Sequence, residues 1–176
     1  KEIPVIGQDG KASRVSAVYT APPRDSFVVA LKDTHEVWEF PYLNNSEFEP
    51  HRILADDFLV DFSFTPDYRY LLATSRKAKG GQVVDMEQGK TVSEIPLPGM
   101  PHLGSGIYWQ RGDQWVFATP NISQGLISVL DMSNWQLIKE IPTEGPGFFM
   151  RSHANSKYAW TDVFFGPNNE AVHVID

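Results

Sequence analysis

No cysteine occurs among the 176 residues. Disulfides, C-x-x-C redox chemistry, thiolate zinc sites and covalent attachment of c-type heme are therefore excluded within this chain. The same absence is compatible with an oxidising compartment. Positive charge is scarce: 15 Lys and Arg against 22 Asp and Glu give a formal net charge of −7. That balance argues against a nucleic-acid-binding face. Long uncharged apolar runs are lacking, so no membrane-spanning helix is expected. The chain opens Lys-Glu-Ile-Pro, without an apolar leader segment or an initiator Met. The expectation is a processed chain or an excised piece. There is no P-loop, G-x-G-x-x-G, H-E-x-x-H or G-x-S-x-G pattern. Helical periodicity is scarce too: one weak stretch at 46–57 is interrupted by Pro50.

What is present is ordinary globular composition, with 41% hydrophobic and 12% aromatic residues, which excludes disorder and coiled coil. It is organised as a repeat. Pro22 to Asp33, Thr65 to Arg76, Gln110 to Asn121 and His153 to Phe164 align without gaps. Each starts with turn formers and then carries an aromatic at the same place, Phe27, Tyr70, Trp115 and Tyr158, spaced 43, 45 and 43 residues apart. Apolar runs too short for helices follow. Downstream, short strands end at Asp85, Asp131 and Asp176, read as turn residues; upstream lie the strands Val15–Tyr19, Phe62–Phe64, Ile107–Trp109 and Phe148–Met150. A four-stranded unit of about 44 residues is the period of a propeller blade. The expected fold is all-β: about four blades of antiparallel sheet, half of an eight-bladed β-propeller. The expected repeats lie near 14–55, 56–98, 99–142 and 143–176. The repeated aromatics are expected to pack between neighbouring sheets. Half a ring leaves sheet faces uncovered, so the remaining half or a second copy in a homodimer is expected to cover them.

Ligand-facing loops of propellers precede the innermost strands. Three candidates are Asp56–Asp61, Gly99–Gly106 and Glu144–Arg151. In the second, His102 stands between Pro101 and Gly104-Ser105-Gly106; an imidazole there suits axial metal ligation or proton transfer, and glycines admit a flat ligand. In the third, Phe149 suits a ring face and Arg151 a ligand carboxylate. Plain structural roles for these residues stay open: a hydrogen-bonded loop histidine, and a strand start with a surface ion pair. His153 reads as a turn residue, and His35, His51 and His173 as solvent-exposed. Asp56, Asp57 and Asp61 lack the spacing of a calcium loop and read as a solvated edge. Asn44-Asn45-Ser46 and Asn121-Ile122-Ser123 match the glycosylation sequon.

Several segments carry a family resemblance over nearly the whole chain. MPHLGSG (Met100–Gly106) resembles the His-x-Gly-x-Gly loop of the heme d1 propeller in cytochrome cd-type nitrite reductases. GPGFFMRSHANSKYAWTD (Gly145–Asp162) resembles the blade that follows it, and Arg14–Asp33 also has a counterpart. Two departures stand out. The loop before the second repeat has Val60 where the reductases carry a distal histidine, and Ser105 replaces an arginine. Nitrite reduction needs positive charge and proton donors over the iron, and Val60 supplies neither. The wording VVALKD with EVWE, PGMPHLGSG, ATPN and SHANSKYAWTDVF is most similar to the nitrite-reductase-like proteins of heme d1 biosynthesis. This resemblance implies a C-terminal heme d1-type domain fragment of a periplasmic oxidoreductase. Its ligand is an iron tetrapyrrole, heme d1 or its dihydro precursor, which it dehydrogenates with electrons passing to a c-type heme. It implies His102 as axial ligand or catalytic pocket residue, with His102, Gly104, Ser105, Gly106, Phe149 and Arg151 around the cofactor. The proximal ligand and the c-type heme domain would lie upstream of Lys1, and the piece by itself is expected to be inactive. Nitrite reductase or other heme d1 biosynthesis proteins are the implied partners. A non-catalytic tetrapyrrole carrier, a nitrite reductase domain and a protein-binding propeller remain alternatives.

Overall fold

The computed structural model describes residues 1–44, 47–76 and 80–176. Their regular structure is fifteen strands and two three-residue 3-10 turns, so the all-β expectation holds. No helix is long and apolar enough to cross a membrane among the described residues. The weak helical stretch instead holds a strand at His51–Leu54, consistent with Pro50 denying it a helical hydrogen bond.

The chain divides into two compact units, Lys1–Ala78 with Gln82–Ser93, and Lys79–Gly81 with Glu94–Asp176. The first holds β1 (Val15–Ala21), β2 (Ser26–Leu31), β3 (Glu36–Pro41) and β4 (His51–Leu54), an antiparallel meander. A second row follows: β5 (Leu59–Phe64), β6 (Tyr70–Ser75), β7 (Gly81–Asp85) and β8 (Lys90–Ile95). The two rows meet at one parallel bridge, Leu54 to Lys90, giving the order β1-β2-β3-β4-β8-β7-β6-β5. The strands of each row are linked by turns too short for a crossover helix, which is why pairing within a row is antiparallel. The core of this unit includes Val28, Ala30, Val37, Ile53, Leu59, Phe62, Leu71, Ala73 and Val84.

The second unit holds β9 (Ile107–Arg111), β10 (Gln114–Pro120), β11 (Leu126–Asp131) and β12 (Leu137–Pro142) in one sheet. A three-stranded sheet follows, of β13 (Met150–Ser152), β14 (Ala159–Asp162) and β15 (Val172–Ile175). Val116, Ala118, Ile127 and Val129 of the first sheet pack with Met150 of the second, flanked by Ile107, Ile141, Ala159 and Ile175. The last repeat thus shows three strands among the described residues, where four were expected.

The repeated aromatics do not form the core. Phe27, Trp115 and Tyr158 are 44, 42 and 39% exposed. Their rings lean on local partners instead: Phe27 on Tyr42, Trp115 on Tyr108, and Tyr158 under the Lys157 ammonium. The buried position is the next residue: Val28, Leu71 and Val116 are fully enclosed. Successive strand side chains point to opposite faces, so each aromatic and its enclosed neighbour face opposite ways. The aspartates at two strand ends act as turn residues. Asp85 Oδ1 accepts the N–H of Glu87 and Gln88, and Asp131 Oδ1 accepts that of Ser133. Asp176 differs and pairs with Lys157 at 3.1 Å.

Candidate functional site

The second unit brings two of the three candidate loops together around the end of β10. Residues 98–106 are clasped by Asn121, just past β10 and only 1% exposed. Its Nδ2 donates to the Pro98 carbonyl at 2.7 Å. Its Oδ1 accepts from Met100, Ser123 and Gln124 backbone N–H groups at 3.0–3.3 Å. The His102 N–H donates to the Pro120 carbonyl at 2.8 Å, and the Gly147 N–H to the Asn121 carbonyl at 3.1 Å. One strand end therefore carries both loops. The sequon reading of Asn121 is corrected: a side chain this enclosed cannot carry a glycan. The other sequon, Asn44-Asn45-Ser46, includes residues outside those described.

His102 precedes a 3-10 turn, Leu103–Ser105, and is 9% exposed. Its ring lies 4.2 Å from that of Phe148, and its Nδ1 sits 2.5 Å from the Phe148 carbonyl oxygen. A carbonyl can only accept, so Nδ1 carries a proton, and in the neutral form of the ring the lone pair is on Nε2. Ser105 joins the loops a second time: its Oγ accepts the Met150 N–H at 3.1 Å and Arg151 Nη1 at 3.2 Å. Arg151 also donates to the Met150 carbonyl at 2.7 Å. Its side chain is exposed on β13, its guanidinium drawn back over the His102 loop. Phe149 is 48% exposed and begins an aromatic group with Phe148, Phe164 and Phe165, whose neighbouring centroids are 4.8–5.3 Å apart.

The glycines have local structural work. A Cβ on Gly106 would meet Phe117 Cζ at 2.1 Å and the Ala118 carbonyl at 2.8 Å. A Cβ on Gly147 would meet the Asp162 carbonyl at 2.8 Å. Both absences let a loop close onto a strand of this chain. Gly104 lies within the 3-10 turn.

The remaining candidate loop, Asp56–Asp61, belongs to the first unit and differs in kind. Val60 and Asp61 already lie in β5. Asp57 and Asp61 accept the N–H of Phe58 and Phe62, and Asp61 also accepts the Tyr19 hydroxyl at 3.0 Å. No group of three or more His, Asp or Glu that could hold a metal occurs among the described residues. Of the remaining histidines, His153 bonds the Asn155 N–H within its turn, as expected. His173 is not simply solvated: its Nε2 accepts the Glu144 N–H at 3.1 Å. His35 packs edge-on to Phe58 at 4.1 Å, and His51 Nδ1 lies 3.5 Å from Glu39.

The family model of the cytochrome D1 heme domain matches residues 1–176, the whole chain. The chain belongs to that family. As a cytochrome D1 heme domain it is 63% identical, over 99% of its length, to dihydro-heme d1 dehydrogenase of Pseudomonas aeruginosa, of which it covers 35%. It is 24% identical, over 98% of its length, to nitrite reductase of Stutzerimonas stutzeri, covering 34% of that protein. Among solved structures it matches the dihydro-heme d1 dehydrogenase NirN in complex with DHE. That match has a TM-score of 0.95 and 63% identity, over 99% of this chain and 37% of that one. Kuenenia stuttgartiensis hydrazine synthase shares the fold at a TM-score of 0.73, with 16% identity over 92% of this chain and 46% of that one. The chain thus spans about a third of the length of the curated relatives it matches. Two residues of this heme domain, Thr161 and Asp162, were not singled out from the sequence, and Asn121 was read only as a sequon. Asn121 and Asp162 sit within the ATPN and KYAWTD segments, yet only their hydrogen bonds to both loops reveal what they hold.

Proposed function

We propose that this chain is part of a periplasmic heme d1-binding oxidoreductase that dehydrogenates a dihydro-heme d1 precursor, and that its sheets are four consecutive blades of an eight-bladed propeller. The observation that carries the reading is the His102–Phe148 bond, which leaves the imidazole lone pair on Nε2, the donor a heme iron takes. Phe149 offers a half-exposed ring for the macrocycle face and Arg151 a guanidinium for its carboxylates, beside Gly104, Ser105 and Gly106. These residue types fit an anionic iron tetrapyrrole. Dehydrogenation of a saturated side chain of the macrocycle would form a C=C bond, release two protons to solvent and send two electrons out through the conjugated ring, which a c-type heme would pass on one at a time. In that chemistry His102 binds, Arg151 orients, and the aromatic group excludes water. A c-type heme in a separate domain is the electron acceptor, and nitrite reductase or another heme d1 biosynthesis protein receives the product. The other half of the ring, or a second copy, covers the exposed sheet faces.

The test is a heme d1 titration of the full-length protein with and without His102→Ala. Loss of the ligand-field absorbance change in the variant supports ligation by His102. An identical spectrum in both proteins rejects it. A carrier function is separated by mixing dihydro-heme d1 with the oxidised full-length protein: appearance of the acrylate product supports the dehydrogenase, and release of unchanged precursor supports a carrier.

A further inference from the structure

We propose that Asp162 is a positioning residue that acts on His102 through a single peptide group. The inference rests on the reading of His102 as the ligand-facing histidine. Asp162 closes β14 and meets the loop that precedes β13. Its Oδ1 accepts the N–H of Phe148 at 2.7 Å and that of Phe149 at 2.9 Å. Its own N–H donates to the Phe149 carbonyl at 3.3 Å, and Thr161 Oγ1 donates to the same carbonyl at 2.9 Å. Gly147 permits this closeness, because any Cβ there would strike the Asp162 backbone.

The Phe149 N–H and the Phe148 C=O belong to one peptide unit. A carboxylate that accepts the N–H draws electron density toward the oxygen at the other end. That oxygen is the one that takes the His102 Nδ1 proton. The result is a relay, carboxylate to peptide to imidazole. Histidines that ligate metals commonly donate their second N–H to a carboxylate or a carbonyl, which fixes the tautomer and raises ligand basicity. Here both groups act in series. Asp162 holds the Phe148 carbonyl in place and strengthens it as an acceptor, which favours the Nδ1-protonated tautomer and makes Nε2 more basic.

The readout needs no bound macrocycle: 15N and 1H NMR of the His102 ring in full-length protein labelled at histidine, recorded near pH ~8, above the ordinary histidine pKa of ~6.5. The His102 signals are assigned by their absence in His102→Gln. In the native protein the Nδ1-protonated tautomer dominates, with a downfield Nδ1 proton. Asp162→Asn keeps an acceptor oxygen and removes the charge; the tautomer is expected to persist while the Nδ1 proton moves upfield. Asp162→Ala is expected to give a mixture of tautomers. Unchanged ring signals in Asp162→Asn overturn the relay, and this variant decides the matter if Asp162→Ala does not fold. A changed tautomer with no heme d1 binding would defeat the proposed function and leave the relay standing; binding with unchanged ring signals would do the reverse.

Discussion

The Nδ1 of His102 and the carbonyl oxygen of Phe148 are 46 residues apart in sequence and 2.5 Å apart in space. The pair ties the loop before β9 to the loop before β13. It does so at a histidine only 9% exposed, and it dictates which ring nitrogen carries the proton. Imidazole tautomer and loop geometry are thus set by the same contact.

Asn121→Ala should destabilise the full-length protein. Its amide and carbonyl serve four backbone groups in an enclosed site, and leaving buried partners unsatisfied costs about 1–3 kcal/mol. Urea denaturation is expected to show a lower midpoint at unchanged slope. Asn121→Asp should not rescue the loss, because its second carboxylate oxygen would face the Pro98 carbonyl, acceptor against acceptor, in a site only 1% exposed.

Gly106→Ala should cost about 1–3 kcal/mol through overpacking against the Phe117 ring and the Ala118 carbonyl. Trimming the obstacle in Gly106→Ala with Phe117→Leu should recover part of that loss. No recovery in thermal melts would mean that the backbone contact, not the ring, sets the limit.

Glutamine placed at adjacent positions separates core from surface. Val116→Gln puts an unpaired amide into a fully enclosed site, at a cost on the order of 3 kcal/mol or more. Trp115→Gln, at a position 42% exposed, should leave a folded protein with a smaller loss. Equal effects of the two on unfolding would restore the expectation that the repeated aromatics pack between neighbouring sheets.

Stability should fall in acid, and Glu39 should supply part of the slope. Burial alone would push its carboxyl up, yet hydrogen bonds from Arg24 at 2.7 Å and Ser26 at 2.8 Å outweigh burial and hold it below the usual glutamate value. A group depressed in the folded state contributes fully above its unfolded pKa, about 4.3 for glutamate, and loses that contribution as pH drops through the folded value. Asp33, held down by Arg14, and Asp85, held down by backbone N–H groups and Arg69 against the opposing effect of burial, act in the same direction. Urea unfolding from neutrality to pH ~3 should show falling stability, with a shallower fall in Glu39→Gln.

The sequence by itself determined the all-β class, the place of the turns and the two loops that meet. Turn-forming residues followed by short apolar runs permit strands and little else, and Gly and Pro around His102 mark a loop whatever surrounds it. The period of about 44 residues came from the same pattern. What each repeated position does was a tertiary matter. Phe27 and Val28 are both apolar, and period-2 alternation says that they face opposite ways without saying which way is inward. The roles of Asn121 and Asp162 were equally hidden, since both residue types are common in turns and their identity as clasps depends on partners 14 to 23 residues away in the chain. The glycines of the His102 loop read as room for a ligand, and the fold fills the room at Gly106 with Phe117, because a backbone reached through the chain's own packing is closed to a side chain before any ligand arrives.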